Sequence, residues 1–182
     1  KYLFLIYIYI YMTRTSLITL CNQGYIRFVK NLNASLRKID APLDLLVYCL
    51  DSETLQILEN SDIKCKLLEN SDNKDIKTQM IGFLNEDSYD IYIQQFHAIT
   101  DSLETNDNVI WTDADCVFLD KTLFEHLEDE KEGVELLYLS DTNSSKSNYG
   151  SSGLMYIKSN KNTKVLLSVE KVKKHVDEDE PK

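Results

Sequence analysis

The sequence predicts a single α/β domain with a mostly parallel central sheet flanked by helices. Short apolar runs typical of strands alternate with segments in which apolar residues recur at helical spacing. The chain has 182 residues, of which 43% are hydrophobic, and this is enough for one domain with a sizeable core. No internal repeat or low-complexity tract interrupts the alternation. We therefore assign residues 16–176 to one domain.

The two ends of the chain differ in composition from this domain. The opening KYLFLIYIYIYM is apolar over about eleven residues, whereas a helix that crosses a bilayer needs about 20. We interpret residues 1–15 as an apolar extension or as the remnant of a signal or anchor, which leaves membrane association open. Residues 177–182 contain the whole charge run DEDE and are interpreted as a solvated acidic tail.

The first predicted unit consists of a strand, a tight turn and a helix. The apolar run LITLC is typical of a strand, and the Asn22-Gln23-Gly24 segment is typical of a turn. Helical spacing follows over residues 24–39, at Ile26, Val29, Leu32, Leu36 and Ile39. The turn therefore joins the carboxyl end of a strand to the start of a helix.

A second unit repeats this order. The strand LDLLVYCLD is preceded by Pro42 and followed by a short helix, SETLQILEN, and by a third strand, IKCKLLE. The polar residues 69–78 predict a loop. A longer helix is predicted over about residues 88–103, and it leads into the strand NVIWT. Its apolar stripe consists of Tyr89, Ile93, Phe96, Ile99 and Leu103.

The same pattern continues beyond NVIWT. The segment KTLFEHLED predicts a short helix, VELLYLSD a strand, and SNYGSSGLMYIKSN a strand punctuated by glycine after a polar loop. A last helix is predicted for NTKVLLSVEKVKKHV. Its apolar face consists of Val165, Val169, Val172 and Val176.

The stretch VIWTDADCVFLD, residues 109–120, contains the strongest functional signal. Residues i and i+2 of an extended segment point the same way, so Asp113 and Asp115 direct their oxygens towards one point, with the small Ala114 between them. The apolar runs on both sides bury the pair, and unpaired buried charge is costly. A divalent cation removes this conflict, and hard oxygen ligands suit Mn²⁺ or Mg²⁺. The pair also follows a strand, where open α/β sheets bind ligands.

Two other interpretations of this pair can be compared with the cation site. Both aspartates could be turn and cap residues that follow a buried strand. A calcium loop of the helix-loop-helix kind is excluded by sequence, because Phe118 occupies the position of its central glycine and Phe124 that of its closing glutamate.

The charge of the chain narrows the class of partner. Thirty acidic and 20 basic residues give a formal net charge of -10, which repels phosphate backbones and anionic lipid headgroups. We therefore expect no nucleic-acid partner.

The cysteines predict reduced thiols rather than a disulfide scaffold or a zinc site. They are widely spaced, mostly within or beside apolar runs, at Cys21, Cys49, Cys65 and Cys116. The glycosylation sequons at Asn33 and Asn143 do not decide between a cytoplasmic and a secretory or Golgi location, because Asn33 falls in a predicted helix.

The acidic pair and its surroundings resemble the GT-A nucleotide-sugar glycosyltransferases, of the kind found in the nucleotide-diphospho-sugar transferase domain and in glycogenin-like enzymes. IWTDADCVFL is similar to their Asp-x-Asp signature. LITLCNQGYIRFVKNLNASL resembles their first strand, nucleotide-contacting turn and first helix, and LVYCLD resembles the second strand with its terminal aspartate. GSSGLMYIKSN is similar to their Asn-x-Gly-plus-strand motif. The resemblance covers about residues 16–167 and implies one GT-A, Rossmann-like domain.

This resemblance implies transfer of a sugar from a nucleotide-diphosphate donor, expected to be a UDP-sugar, to a glycan, protein or small-molecule acceptor, with retention of configuration. It implies a Mn²⁺ or Mg²⁺ cofactor that Asp115 binds directly, while Asp113 shares the metal or holds the ribose. The implied nucleotide-sugar contacts are Cys21, Asn22, Tyr25, Asp51, Gln95, Thr112 and Ala114. The implied sugar and acceptor pocket consists of Ser151, Ser152 and Gly153.

Several of these residues also have a purely structural interpretation. Asn22 and Gly24 are common in tight turns, and Tyr25 could be a core aromatic at the start of a helix. Asp51 precedes a predicted helix and could be its N-cap.

The sequence departs from the family pattern in three places. Gln95 stands where the family often has a lysine, and Ser151 stands where the pocket motif usually has an asparagine. The family's later segment, with a further metal ligand that is commonly histidine, is expected beyond Lys182. The histidines of this chain are His97, His126 and His175. Their positions predict structural or solvated roles rather than metal binding.

Two alternative functions remain at this point. DADCV also fits the first motif of haloacid-dehalogenase-like phosphatases, with Asp113 as nucleophile, Asp115 as general acid/base and Ser140 as the second-motif hydroxyl. The layout argues against this, because over a hundred residues precede the motif and about sixty follow it. The other alternative is a catalytically incomplete module that binds a nucleotide sugar.

Overall fold

The computed structural model describes residues 14–69, 86–130, 133–140, 150–172 and 174. In these residues, strands and helices alternate as the sequence predicts. The strands are β1 (Thr15–Cys21), β2 (Leu45–Cys49), β3 (Lys64–Leu67), β4 (Asn108–Thr112), β5 (Leu136–Ser140) and β6 (Gly150–Lys158). The helices are α1 (Ile26–Lys38), α2 (Ser52–Glu59), α3 (Glu86–Thr105), α4 (Thr122–Glu130) and α5 (Lys161–Leu166), and a 3₁₀ turn, Gln23–Tyr25, precedes α1.

The strands of the described residues form one six-stranded sheet in the order β3-β2-β1-β4-β6-β5. β1 pairs in parallel with β2 and β4, and β2 pairs in parallel with β3. β6 runs antiparallel to both of its neighbours, β4 and β5, a reversal that the sequence pattern did not predict. The predicted mostly parallel sheet is confirmed. Its carboxyl edge gathers the segments that follow β1, β2 and β4.

Apolar residues fill both faces of the sheet. On one face, Leu32 of α1 packs in a fully buried cluster with Val47 of β2. On the other face, Ile99 and Leu103 of α3 pack in a cluster with Trp111 of β4. The apolar stripes predicted for the two long helices are buried or partly buried wherever the structure describes their side chains. Burial of these stripes is the main driving force for docking the helices on the sheet.

A polar cluster links β2 and the edge strand β3 to α3. Tyr48 of β2 is 1% exposed, and its hydroxyl donates to Asp101 Oδ2 of α3 at 2.7 Å. Lys66 of β3 donates to the same carboxylate and lies 4.6 Å from the centre of the Tyr48 ring. Burial, together with the bond to Asp101, raises the pKa of Tyr48, so this hydroxyl stays protonated and remains a donor.

The prediction of one continuous last helix over residues 162–176 is wrong. α5 ends at Leu166, and a separate short helical segment covers residues 169–172. The Ser168 hydroxyl donates to the carbonyl oxygen of Val165, a side-chain bond that competes with helical backbone bonds. The break changes which residues face the protein: Val165 is 48% exposed, whereas Leu167 is buried.

Several predictions fall outside the described residues and stay predictions. They concern the N-terminal extension, most of the predicted loop over residues 69–78, Asn143, His175 and the acidic tail. Of the helices that the structure does describe, none combines the length and apolarity that a membrane span requires.

Asp51 is the N-cap of α2. Its Oδ1 accepts a hydrogen bond from the backbone N–H of Thr54, and its Oδ2 accepts one from the Thr54 hydroxyl, each at 2.8 Å. The residue is buried, and both of its carboxylate oxygens accept hydrogen bonds within the fold. The structure therefore shows Asp51 in the structural role that the sequence allowed, as a helix N-cap.

We expect Asp51→Ala to lower the free energy of unfolding by about 0.5–2 kcal/mol, because the cap is lost. Urea unfolding followed by circular dichroism measures this change. Asp51→Asn is the matched control, since its amide oxygen still accepts from the Thr54 N–H. Equal stability of the alanine variant and the unchanged chain would contradict the capping role.

Candidate active site

A cavity of about 180 Å³ lies at the carboxyl edge of the sheet. It is bordered by the ends of β1, β2 and β4 and by the N-terminal half of α3. Seven residues that the sequence singled out line it: Cys21, Asn22, Tyr25, Gln95, Asp113, Ala114 and Asp115. The fold therefore brings the predicted turn after β1 and the predicted acidic pair to one site.

The acidic loop after β4 is fixed by neighbouring elements. The backbone N–H of Asp113 donates to the carbonyl oxygen of Gly153 in β6 at 2.8 Å, and the N–H of Cys116 donates to the carbonyl oxygen of Asp113 at 3.2 Å. Further along, the N–H of Phe118 donates to the hydroxyl of Ser35 in α1 at 3.1 Å. The loop is thus anchored to the sheet on one side and to a helix on the other.

The Asp113 carboxylate is half-buried at the start of this loop. Its Oδ1 accepts a hydrogen bond from the indole Nε1–H of Trp111 at 3.2 Å. Burial raises the pKa of Asp113, the Trp111 bond opposes this rise, and the charge of Asp115 adds to it. The two like charges therefore influence each other, as expected for carboxylates that share one site.

Asp115 and Tyr25 complete the acidic side of the cavity. Asp115 is exposed, in contrast to Asp113. Burial raises the pKa of Tyr25, and the charges of Asp115 and Asp113 raise it further. The Tyr25 hydroxyl therefore lies in the field of both carboxylates and stays protonated at neutral pH.

The turn after β1 forms the part of the cavity wall beside the acidic loop, because β1 and β4 are neighbouring strands. The N–H of Tyr25 donates to the carbonyl oxygen of Asn22 at 3.0 Å and closes the 3₁₀ turn. The Cys21 thiol donates to the same carbonyl at 3.2 Å. Burial raises the pKa of Cys21 to about 12, so it remains a thiol and not a thiolate. These contacts fix the turn and account for the structural roles of its residues.

The two carboxylates fit a divalent cation that takes some of its ligands from a bound substrate. Within the described residues, no group of three or more His, Cys, Asp or Glu side chains is arranged to hold a metal. Mg²⁺ and related hard cations commonly use one or two carboxylates together with substrate phosphates and water. Asp113 and Asp115 could supply these two carboxylates, because both line the cavity.

Other predicted site residues lie around Asp113 rather than on the cavity. Thr112 is buried, and its hydroxyl donates to the carbonyl oxygen of Asp113 at 3.4 Å. Gly153 backs the Asp113 carboxylate, and its own N–H donates to the Ser151 hydroxyl at 3.2 Å. The carbonyl oxygen of Ser152 accepts from Gln95 at 3.4 Å. These residues support the site, and Ser151, Ser152 and Gly153 are not among the residues that line the cavity.

Asp51 is also absent from the cavity lining. The preceding residue, Leu50, lines the cavity instead, and the backbone N–H of Leu50 donates to the carbonyl oxygen of Cys21 at 2.9 Å. Asp51 itself points into the first turn of α2, where its carboxylate is used as a cap.

The sequence did not predict the remaining cavity lining, which is apolar except for Thr19. The missed lining residues are Thr19, Leu20, Leu50, Ile91, Tyr92 and Trp111. Two signals could have found some of them. Trp111 lies two residues before Asp113, so an extended chain points both the same way, and Ile91 lies one helical turn before Gln95. Apolar residues in strands are normally assigned to the core, so their contact with a cavity was not predicted.

A family model described as nucleotide-diphospho-sugar transferase matches residues 43–182 of this chain. The match includes the acidic loop, whereas β1 and the turn after it precede the matched range. Among curated protein sequences, none matches the chain.

Solved structures share its fold. The apo form of the glycosyltransferase GlyE of Streptococcus pneumoniae TIGR4 aligns with a TM-score of 0.53 at 16% identity, over 93% of this chain and 39% of that chain. The galactosyltransferase LgtC, in complex with donor and acceptor sugar analogues, gives 0.57 at 13% identity, over 89% and 65%. The apo form of mouse xyloside xylosyltransferase 1 gives 0.54 at 14% identity, over 90% and 75%. The predicted GT-A fold is confirmed, and the chain spans about two fifths of the length of GlyE.

We expect Asp113→Asn to raise the free energy of unfolding at pH 7. Because burial raises the pKa of Asp113 in the folded state, the ionised form destabilises the fold at every pH above that raised pKa. The asparagine oxygen can still accept from Trp111. Urea unfolding at pH 7 measures the gain, which should disappear below about pH 3.9, where the aspartic acid is protonated in both states.

Asp115→Asn is the matched control for this comparison, because Asp115 is exposed and its charge is solvated. We expect a smaller gain for it than for Asp113→Asn. A loss of stability in Asp113→Asn at pH 7 would contradict the inferred cost of the buried charge.

Proposed function

We propose that this chain, which belongs to the nucleotide-diphospho-sugar transferase family, transfers a sugar from a nucleotide-diphosphate donor to an acceptor. A UDP-sugar is the donor we favour, and the acceptor is a glycan, a protein or a small molecule. The observation that carries the proposal is that Asp113 and Asp115 share one cavity with Asn22 and Tyr25. That cavity lies at the carboxyl edge of the parallel strands, where open α/β sheets bind nucleotides.

The charge of the cavity supports a cation between protein and donor. Its described lining has two carboxylates, Asp113 and Asp115, and no lysine or arginine. A diphosphate that entered alone would meet charge of its own sign. A divalent cation attracts both the carboxylates and the phosphates, so it inverts the local field. We propose Mn²⁺, or alternatively Mg²⁺, held by these two side chains, with diphosphate oxygens and water as the other ligands.

The residues of the cavity then have separate roles. When bound, the cation neutralises charge that develops on the leaving diphosphate. Asp113 is fixed by its neighbours and sets the position of the cation. The exposed Asp115 approaches the cation from the loop. Asn22 and Tyr25 contact the nucleoside from the turn after β1, which also lines the cavity. Retention of configuration is expected from the family resemblance alone.

The apolar lining suits the uncharged part of a nucleotide. Leu20 lies near the end of β1 and Leu50 directly follows β2. Ile91 and Tyr92 of α3 line the same cavity. Apolar walls of this kind exclude water from a bound base and leave orientation to a few polar groups. We propose that the base and ribose lie against this wall and that the diphosphate points towards Asp113.

The phosphatase alternative has less support. It would use Asp113 as the nucleophile. The family match over residues 43–182 favours transfer of a sugar instead.

Isothermal titration calorimetry with UDP tests the proposed site. We expect the full chain to bind UDP in the presence of Mn²⁺ and to lose most of that affinity without the metal. Asp115→Asn should weaken binding by about 10- to 100-fold, because a charged ligand is lost. Asp120→Asn is the control, since it neutralises another exposed aspartate of the same loop and keeps a cap acceptor for Thr122. Metal-independent binding in the unchanged chain would contradict the proposal.

A panel of nucleotide sugars, incubated with and without Mn²⁺, tests the reaction. Release of nucleoside diphosphate from one donor supports a transferase and identifies the sugar. Release of phosphate from a generic phosphomonoester, in its place, would favour the phosphatase. Metal-dependent binding of UDP with no turnover of any donor would favour the incomplete binding module.

Trp111 offers an optical test, because it is the single tryptophan of the chain and it lines the cavity. We expect Mn²⁺ together with UDP to quench its fluorescence, with a titration midpoint equal to the calorimetric one. Asp115→Asn should move this midpoint to higher concentration. Emission that stays constant while calorimetry reports binding would place the ligand elsewhere.

A further inference from the structure

The indole of Trp111 does more than fill the core. It is 3% exposed and packs in the apolar cluster between the sheet and α3. A phenyl ring could fill most of this space, whereas a buried indole N–H also requires a hydrogen-bond acceptor. Its acceptor here is Asp113 Oδ1 at 3.2 Å. The polar atom of a core residue is thus directed at the acidic loop.

Strand β6 confines the same carboxylate from another direction. The backbone N–H of Asp113 is bonded to the carbonyl oxygen of Gly153 at 2.8 Å. A Cβ at Gly153 would lie 3.1 Å from Asp113 Oδ2 and 3.3 Å from Ser151 Oγ, so the glycine leaves just enough room for the carboxylate. Asp113 is therefore held between the indole N–H and the backbone of Gly153.

Asp115 is held far less firmly. It is exposed, and among the residues that the structure describes, none donates a hydrogen bond to its carboxylate. The two acidic side chains of the cavity therefore differ in freedom before any ligand arrives. Binding to a group that is already in place loses less conformational entropy than binding to a mobile one.

We propose that Trp111 is a positioning residue whose indole N–H holds the Asp113 carboxylate in the orientation that binds the metal and the nucleotide diphosphate. This inference rests on the proposed function, because it assigns Trp111 a task in that same site. Asp113 is the preset ligand of the pair, and Asp115 closes on the complex afterwards. Loss of the N–H leaves the carboxylate in place but frees its orientation.

Two variants remove the N–H in different ways. Trp111→Phe removes it together with part of the ring. Replacement of Trp111 by 3-benzothienylalanine keeps the bicyclic shape and exchanges the N–H for sulfur, so it retains core packing should the phenylalanine variant fold poorly. The full chain is titrated with Mn²⁺ and UDP, and the concentration of free Mn²⁺ is measured by electron paramagnetic resonance. This measurement reports binding and does not require turnover.

Tyr48→Phe is the matched control. Tyr48 is as deeply buried as Trp111 and donates to an aspartate in the same way, at 2.7 Å to Asp101, but it does not line the cavity. We expect both Trp111 variants to weaken binding of Mn²⁺ with UDP about tenfold, the usual effect of losing a hydrogen bond to a charged group. Tyr48→Phe should stay within about twofold of the unchanged chain, because it loses a bond of the same kind elsewhere.

Each result decides the inference. A tenfold loss in the benzothienylalanine variant, with unfolding unchanged and Tyr48→Phe normal, supports the positioning role. Binding within twofold in that variant, while the unchanged chain binds, overturns it and leaves the proposed function standing. An equal loss in Tyr48→Phe overturns it as well, because general destabilisation would explain both. Failure of the unchanged chain to bind Mn²⁺ and UDP overturns the proposed function and this inference together.

Discussion

A half-buried carboxylate at the end of a buried strand imposes the constraint on which the site depends. Charge at such a place is unfavourable unless the surroundings compensate it. Here Trp111 supplies a hydrogen-bond donor to Asp113, and β6 holds the backbone of that residue. Among the described residues that line the cavity, none is a lysine or an arginine, so the negative charge of Asp113 is only partly compensated. An incompletely compensated carboxylate at the mouth of a cavity is suited to bind a cation.

Strand register decides which segments share this site. Ile18 of β1 pairs with Trp111 of β4, so the parallel strands run side by side towards the carboxyl edge. The turn after β1 therefore emerges beside the acidic loop, although some ninety residues separate the two in sequence. A slip of one residue would turn every side chain of β1 to the other face of the sheet. Leu17 packs in the cluster on one face and Ile18 in the cluster on the other, so such a slip would exchange the packing partners of the two faces.

Much of the fold could be predicted from the sequence because hydrophobic periodicity reports burial directly. The strands, the two long helices and the placement of Asp113 and Asp115 at the carboxyl edge followed from local pattern. The reversed direction of β6 could not, since an apolar strand has the same pattern in either direction. The contact of Gly153 with Asp113 could not be read either, because it joins segments that are close only after folding. In the last helix, the valine pattern continued across Ser168, whose hydroxyl competes for a backbone carbonyl.

The anchor at Ser35 has a consequence for covalent modification of the chain. Ser35 is the third residue of the sequon that begins at Asn33, and its hydroxyl defines that sequon. In the fold this hydroxyl is buried, donates to the carbonyl oxygen of Leu32 and accepts from the N–H of Phe118. An enzyme that attaches an oligosaccharide would have to unwind α1 and release the acidic loop to read it. Carbohydrate on Asn33 would therefore identify molecules that were glycosylated before the domain folded.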